Sequence, residues 1–232
     1  IIVSSGVPIE SKFSLSQGAF TVKDGFNTDG IEVSFNIIAS DQFGNNATDG
    51  TQIFFASPES GNIGHSCELS DGACSVTWRS AGNRPNDGRV TIIAYTSGAE
   101  DFDDANGNNV FDAADSFNVS SVQDLPEPYI DENDSGSYDI GEFFVDSNNN
   151  ETRDLSNSVW DGPCLSAVNQ SAICSGNTSI TLSDVARLIL PDDSARALVA
   201  QYDLGNGAGW QDLDGAGTIQ TSTSANGLSV NF

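Results

Sequence analysis

Three segments place side-chain oxygens on one template: Asp104-Ala-Asn-Gly-Asn-Asn-Val-Phe-Asp-Ala-Ala-Asp115, Asp131-Glu-Asn-Asp-Ser-Gly-Ser-Tyr-Asp-Ile-Gly-Glu142 and Asp146-Ser-Asn-Asn-Asn-Glu-Thr-Arg-Asp-Leu-Ser-Asn157. Oxygen-bearing residues fall at loop positions 1, 3, 5, 9 and 12, the spacing of an EF-hand-type calcium loop. The candidate ligands are Asp104, Asn106, Asn108, Asp112 and Asp115, then Asp131, Asn133, Ser135, Asp139 and Glu142, then Asp146, Asn148, Asn150, Asp154 and Asn157. Position 7 contributes a backbone carbonyl, from Val110, Ser137 and Thr152. Calcium takes about 6–8 hard oxygens at about 2.3–2.6 Å, and a tightly curled loop turns alternate side chains toward one point. About three Ca2+ ions are expected. Glu142 can close its site as a bidentate ligand; Asp115 is shorter, and Asn157 has a single oxygen. Gly136 holds position 6 of the second loop, Asn109 tolerates that place in the first, and Glu151 fits it badly in the third.

A second regularity accompanies the loops. An aromatic stands two residues before each, at Phe102, Tyr129 and Phe144, and another at position 8 of the first two, Phe111 and Tyr138. A small apolar seam beneath the metals is expected. Residues 100–161 hold 17 of the 33 acids and one base, Arg153. Two carboxylates about 5 Å apart repel by roughly 3 kcal/mol at an effective dielectric of about 20. Metal is therefore expected to be structural. No flanking helices are evident, so isolated loops are expected.

The elements that position these loops read as β-structure. Ile31, Val33, Phe35 and Ile37 alternate with polar residues, the period of a half-buried strand. Thr51–Ala56, Ala73–Arg79 and Arg89–Tyr95 are further strands, separated by stretches dense in Gly, Asn, Asp and Pro. The net charge of −25 excludes a nucleic-acid or anionic-membrane surface, and no apolar run reaches the length of a membrane span. No nucleophile elbow, phosphate loop or dinucleotide fingerprint occurs, and the one histidine, His65, reads as a loop residue, so no enzyme is expected. Trp78 alternates into the strand core; Trp160 and Trp210, among Gly and Asp, are the better candidates for exposure. Methionine is absent and no signal peptide is visible, so the chain is expected to be a piece of a longer exported protein.

The succession Asp41-Gln-Phe-Gly-Asn, Asp49-Gly-Thr-Gln-Ile-Phe-Phe, Asp71-Gly-Ala-Cys-Ser-Val-Thr-Trp and Gly88-Arg-Val-Thr-Ile-Ile-Ala resembles the bacterial Ig-like group 1 family of invasin- and intimin-like surface proteins. The resemblance covers roughly residues 1–120. It implies an extracellular β-sandwich used as a stalk or adhesive module and carries over no catalytic residue. The long acidic segment after Tyr95 departs from it.

The expected architecture is all-β: an Ig-like antiparallel sandwich over residues 1–99 (final strand at 116–120), acidic calcium loops over 100–161 as a connector, and a partial second Ig-like module or strand-exchanging segment over 162–232. Strands are expected at Thr218–Thr223 and Leu228–Phe232. Cys67 with Cys74, and Cys164 with Cys174, are expected as short-range disulfides, which places the chain in an oxidising compartment, at the cell surface or outside. Expected partners are neighbouring Ig-like modules, copies of the chain, or a host-cell or glycan receptor. Two further readings compete with the adhesive one: a filament subunit that donates the strand Ile1-Ile-Val-Ser-Ser5, and a secreted glycan-binding module.

Overall fold

Alternation from Glu32 to Ala39 yields a strand buried at every second residue, with Val33, Phe35, Ile37 and Ala39 facing inward. This is β2 of a computed structural model that describes residues 6–119, 123–163 and 177–191 and the pairs 202–203 and 210–211. The first sheet runs β1 (Phe13–Gln17), β2 (Glu32–Ala39), β6 (Ala73–Arg79) and β4 (Asn62–Ile63). The second runs β5 (Ser66–Glu68), β3 (Gln52–Ala56), β7 (Arg89–Gly98) and β8 (Ile180–Ile189). All ladders between these strands are antiparallel. With the short edge strands β4 and β5 set aside, the first, second and fourth long strands share one sheet and the other three share the second. That is the immunoglobulin-like arrangement.

The core lies between the sheets. Phe35, Ile37 and Trp78 from one meet Ile53, Phe55, Val90, Ile92, Leu182 and Leu188 from the other. Turn chemistry sets the register. Asp71 and Gly72 take positive φ (52° and 74°) in the two-residue reversal between Ser70 and Ala73. Asp41, buried, accepts the amides of Phe43 and Asn45 at 3.0 and 2.9 Å and so shapes its own turn. Cys67 and Cys74 are joined, tying β5 of one sheet to β6 of the other.

The sandwich's last strand comes from a place the sequence reading did not assign to it. Residues 180–189 pair with β7 along their whole length, from Arg89 opposite Ile189 to Gly98 opposite Ile180. Leu182, Ala186, Leu188 and Leu190 join the core. At 116–119 only an isolated bridge, Asp103 to Ser116, forms. The acidic stretch is therefore an insertion between two neighbouring strands of one sandwich, where a connector between two modules was expected. Of the expected second module, β9 (Tyr202–Asp203) pairs with β10 (Trp210–Gln211). The 218–223 and 228–232 strands, Ile1–Ser5 and the Cys164–Cys174 bridge lie outside the described residues.

The insertion folds back on the sandwich in two places. At one end, Phe102, Phe111 and Trp160 pack with Ala99. On the outer face of the second sheet, Ile130 and Val145 cover Ile93. As a result β7 is buried on both faces, with Val90 and Ile92 inside the sandwich, Ile93 under the insertion and Thr91 bonded to the Glu59 carboxylate.

Candidate metal centres

The three loops share one backbone. Position 4 has positive φ in each, at Gly107 (72°), Asp134 (57°) and Asn149 (59°). So does position 6, at Asn109 (56°), Gly136 (79°) and Glu151 (62°). Glu151 thus adopts the left-handed conformation despite its side chain, at a cost of roughly 1–2 kcal/mol.

These bends turn the amides of positions 5 and 6 toward the carboxylate of position 1. Asp104 accepts Asn108 N at 3.2 Å and Asn109 N at 2.7 Å. Asp131 accepts Ser135 N at 3.0 Å and Gly136 N at 2.8 Å. Asp146 accepts Asn150 N at 3.1 Å and Glu151 N at 2.8 Å. The side chains of positions 3, 5 and 9 also converge. Asn106 and Asn108 reach Asp112 at 3.1 and 2.9 Å, Asn133 reaches Asp139 at 2.9 Å, and Asn150 reaches Asp154 at 3.1 Å. The amide of Ala114, with the Asn108 and Asn106 side chains, holds the Asp112 carboxyl below the ordinary range; the Asn133 and Ser135 side chains do the same for Asp139. At position 7 the amides of Val110, Ser137 and Thr152 donate to the side chains of Asn108, Ser135 and Asn150.

Position 12 repeats as well, with one substitution. Asp115 accepts the amides of Ala105 (position 2) and Asp112 (position 9) at 3.0 and 2.8 Å. Glu142 accepts those of Glu132 and Asp139, both at 2.9 Å. In the third loop the same two amides, Ser147 and Asp154, donate at 2.7 and 3.0 Å to Glu127. Asn157, which the spacing put there, stands elsewhere. The signal in the sequence was a negative one: the third loop lacks a carboxylate at its end, so one has to come from another segment.

Asn157 belongs to a fourth, discontinuous copy of the pattern. Asp124 takes the position-1 role, accepting Asn157 N at 3.1 Å and Ser158 N at 2.9 Å, and Ser158 has a positive φ of 65°. Val159 N donates to Asn157 at 2.8 Å, and the Asn157 amide reaches Asp161 at 2.8 Å. Glu100 takes the position-12 role, accepting Leu125 N at 2.8 Å and Asp161 N at 2.7 Å. Leu155 stands where the continuous loops have Asn at position 3. Glu100, Asp124 and Asp161 are all buried. Burial pushes the Glu100 carboxyl up to about 7, and the charges of Asp161 and Asp124 push the same way.

Aromatic contacts anchor the loops in two separate clusters, where a single seam was expected. Phe102 and Phe111 pack against Trp160, with ring centroids 5.9 and 4.6 Å from it. Trp160, one of the two rings offered as candidates for exposure, is buried and donates its indole N–H to the Glu100 carbonyl at 3.0 Å. Tyr138 contacts Tyr129 and Phe144 at 5.7 and 5.8 Å. Arg153, at position 8 of the third loop, lies 4.5 Å from the Tyr129 ring centroid and 5.3 Å from that of Tyr138. The insertion's one base thus stacks where the other loops place an aromatic. Arg89 and Arg187 pair with Asp134 and fasten the second loop to β7 and β8.

Chemically, each arrangement offers carboxylate, amide or hydroxyl, and carbonyl oxygens. This hard donor set suits calcium in a flexible site. Among the described residues no three carboxylate, imidazole or thiol groups form a cage by themselves, so neutral oxygens have to complete any shell. His65 is exposed. Trp78 is fully buried, its indole donating to Ser60 O at 3.1 Å. The Trp210 side chain lies outside the described residues. Among the described residues no helix is long and apolar enough to cross a membrane.

No family model and no curated protein matches the chain. Among solved structures the chain is similar to the "D00-D0 domain of Intimin", with a TM-score of 0.30 and 15% identity. The match covers 40% of this chain and 45% of that one, so the chain spans less than half the length of its structural relative. A likeness this slight carries no weight; the Ig-like topology rests on the strand order.

Proposed function

We propose that the chain is a non-enzymatic, calcium-stabilised structural or adhesive module of a bacterial surface protein. In this reading an Ig-like sandwich is braced by an insertion that carries four cation sites. Three are the loops starting at Asp104, Asp131 and Asp146, with Glu127 closing the third; the fourth is built from Asp124, Asn157, Asp161 and Glu100.

One observation carries the reading. The same hydrogen-bonded frame occurs four times, and its fourth copy is assembled from three separate stretches of chain with Glu100 and Asp124 withdrawn from water. Buried carboxylates beside one another destabilise a fold unless a cation joins them. Calcium supplies that charge and accepts the mixed oxygen shell. The Cys67–Cys74 bridge agrees with an extracellular setting.

Isothermal calorimetry of the chelated chain against calcium tests this, with thermal melts in calcium and in EDTA. About four ions per chain are expected. Each site stabilises the fold by about 2.7 kcal/mol when free calcium is 100-fold above its Kd. An identical melting temperature in both buffers removes the reading.

A further inference from the structure

β7 turns Thr91, Ile93 and Tyr95 away from the main core, yet Ile93 is fully buried. Its cover is Ile130 and Val145, with Ala56, Tyr95 and Phe143 at the margin. Ile130 immediately precedes Asp131, and Val145 immediately precedes Asp146. The two covering residues are set side by side by Ile130 N donating to Phe143 O at 2.9 Å, Val145 N donating to Pro128 O at 2.8 Å, and the antiparallel bridge of Tyr129 with Phe144. The second loop is therefore the tip of a hairpin whose base is the cover. That tip carries Asp131, Glu132, Asp134, Asp139 and Glu142, of which Asp134 alone is ion-paired among the described residues, to Arg89 and Arg187.

We propose that cation binding at the second and third loops latches this hairpin over β7, and that withdrawing the cation lifts it while the sandwich stays folded. The inference rests on the cation reading and adds a regulated surface to it. With the tip unneutralised, its like charges drive the two arms apart, opposed by the small cluster of Ile93, Ile130 and Val145, the Arg89 and Arg187 pairs with Asp134, the Arg89 bond to Glu132 O and the contact of the Ser147 and Thr181 hydroxyls. Lifting it bares Ile93 with Ala56 and Tyr95 at its margin, and joins them to the Phe54 ring, already exposed, which stacks on Tyr95 with centroids 5.6 Å apart. The main core keeps its own contacts, because Val90 and Ile92 face the opposite sheet.

The test is maleimide labelling of the full chain carrying Ile93→Cys, in calcium and in EDTA, with the unsubstituted chain as baseline for its own cysteines. Ile92→Cys, on the inner face, reports on the sandwich. Ile93→Cys is expected to react at least about tenfold faster in EDTA, as local opening requires, while Ile92→Cys stays protected in both buffers. Equal protection of Ile93→Cys in both, with calorimetry showing calcium bound, overturns the latch and leaves the cation reading standing. Parallel release of Ile92→Cys means global melting and also overturns it. No calcium uptake removes both. Should either cysteine variant misfold, binding of a naphthalene sulfonate dye to the unsubstituted chain decides. Dye uptake in EDTA with the near-ultraviolet signal of buried Trp78 retained supports the latch; absence of uptake overturns it.

Discussion

Two glutamates separate what spacing can reveal from what only folding assembles. Glu142 ends its own loop and its place at position 12 was readable from spacing; Glu127 reaches the third loop from outside it and accepts the equivalent amides. If Glu127 closes that site, Glu127→Gln weakens one calcium site by about 10–100-fold, whereas Asn157→Ala leaves the third site intact and disturbs the fourth. Calcium titrations of the two variants distinguish these outcomes. Glu100 supplies a pH signature. Its folded-state pKa of about 7 lies above the ordinary 4.5, mainly through burial. The unfolded chain therefore gives up this proton first. In EDTA the group's contribution to stability is complete below about 4.5 and is lost as pH rises through about 7. Melting temperature in EDTA should fall across that window in the parent and stay flatter in Glu100→Gln. In saturating calcium the carboxylate is held as the anion and the slope disappears.

At the scale of elements, β2, β3, β6 and β7 were legible because their alternation is local. β8 was not. Ala186 and Arg187 fit a helix as well as a strand, and the partner that decides between them, β7, lies far back in the chain. Asp184 adds to the ambiguity as a polar residue mid-strand; its carboxylate accepts Leu15 N of β1 at 2.8 Å and so joins the two sheets at that edge. Because Leu182, Leu188 and Leu190 complete the core, a chain ending at residue 163 should not fold. Each buried leucine contributes about 1.5–3 kcal/mol, against a typical domain stability of about 5–15 kcal/mol. Circular dichroism and melting of residues 1–163 check this; a cooperative transition would show that the sandwich closes without its last strand. The same distance explains Trp160. Its Gly and Asp neighbours suggest exposure, but the returning end of the insertion lays it against Ala99 and Phe111.

For the whole molecule, the net charge of −25 and the Ig-like topology are two sides of one problem. The sandwich has to hold a highly charged insertion against its own face, and the aromatic clusters, the Arg89–Asp134–Arg187 ties and the proposed cations all act at that contact. The placement of β8 also has a kinetic consequence. β7 cannot find its neighbour until roughly 80 residues of intervening chain have been gathered in, and the entropy of closing such a loop grows as about (3/2)RT ln n. Divalent ions that collapse the intervening chain before the strands meet shorten the effective loop. A reduction to about 20 residues saves about 1.2 kcal/mol, roughly eightfold in rate. Refolding from urea, followed by tryptophan fluorescence, should accordingly run faster with calcium present than in EDTA. A secreted chain of this design would then close its last strand fastest in a medium where the ion is plentiful, so that the surroundings pace its maturation.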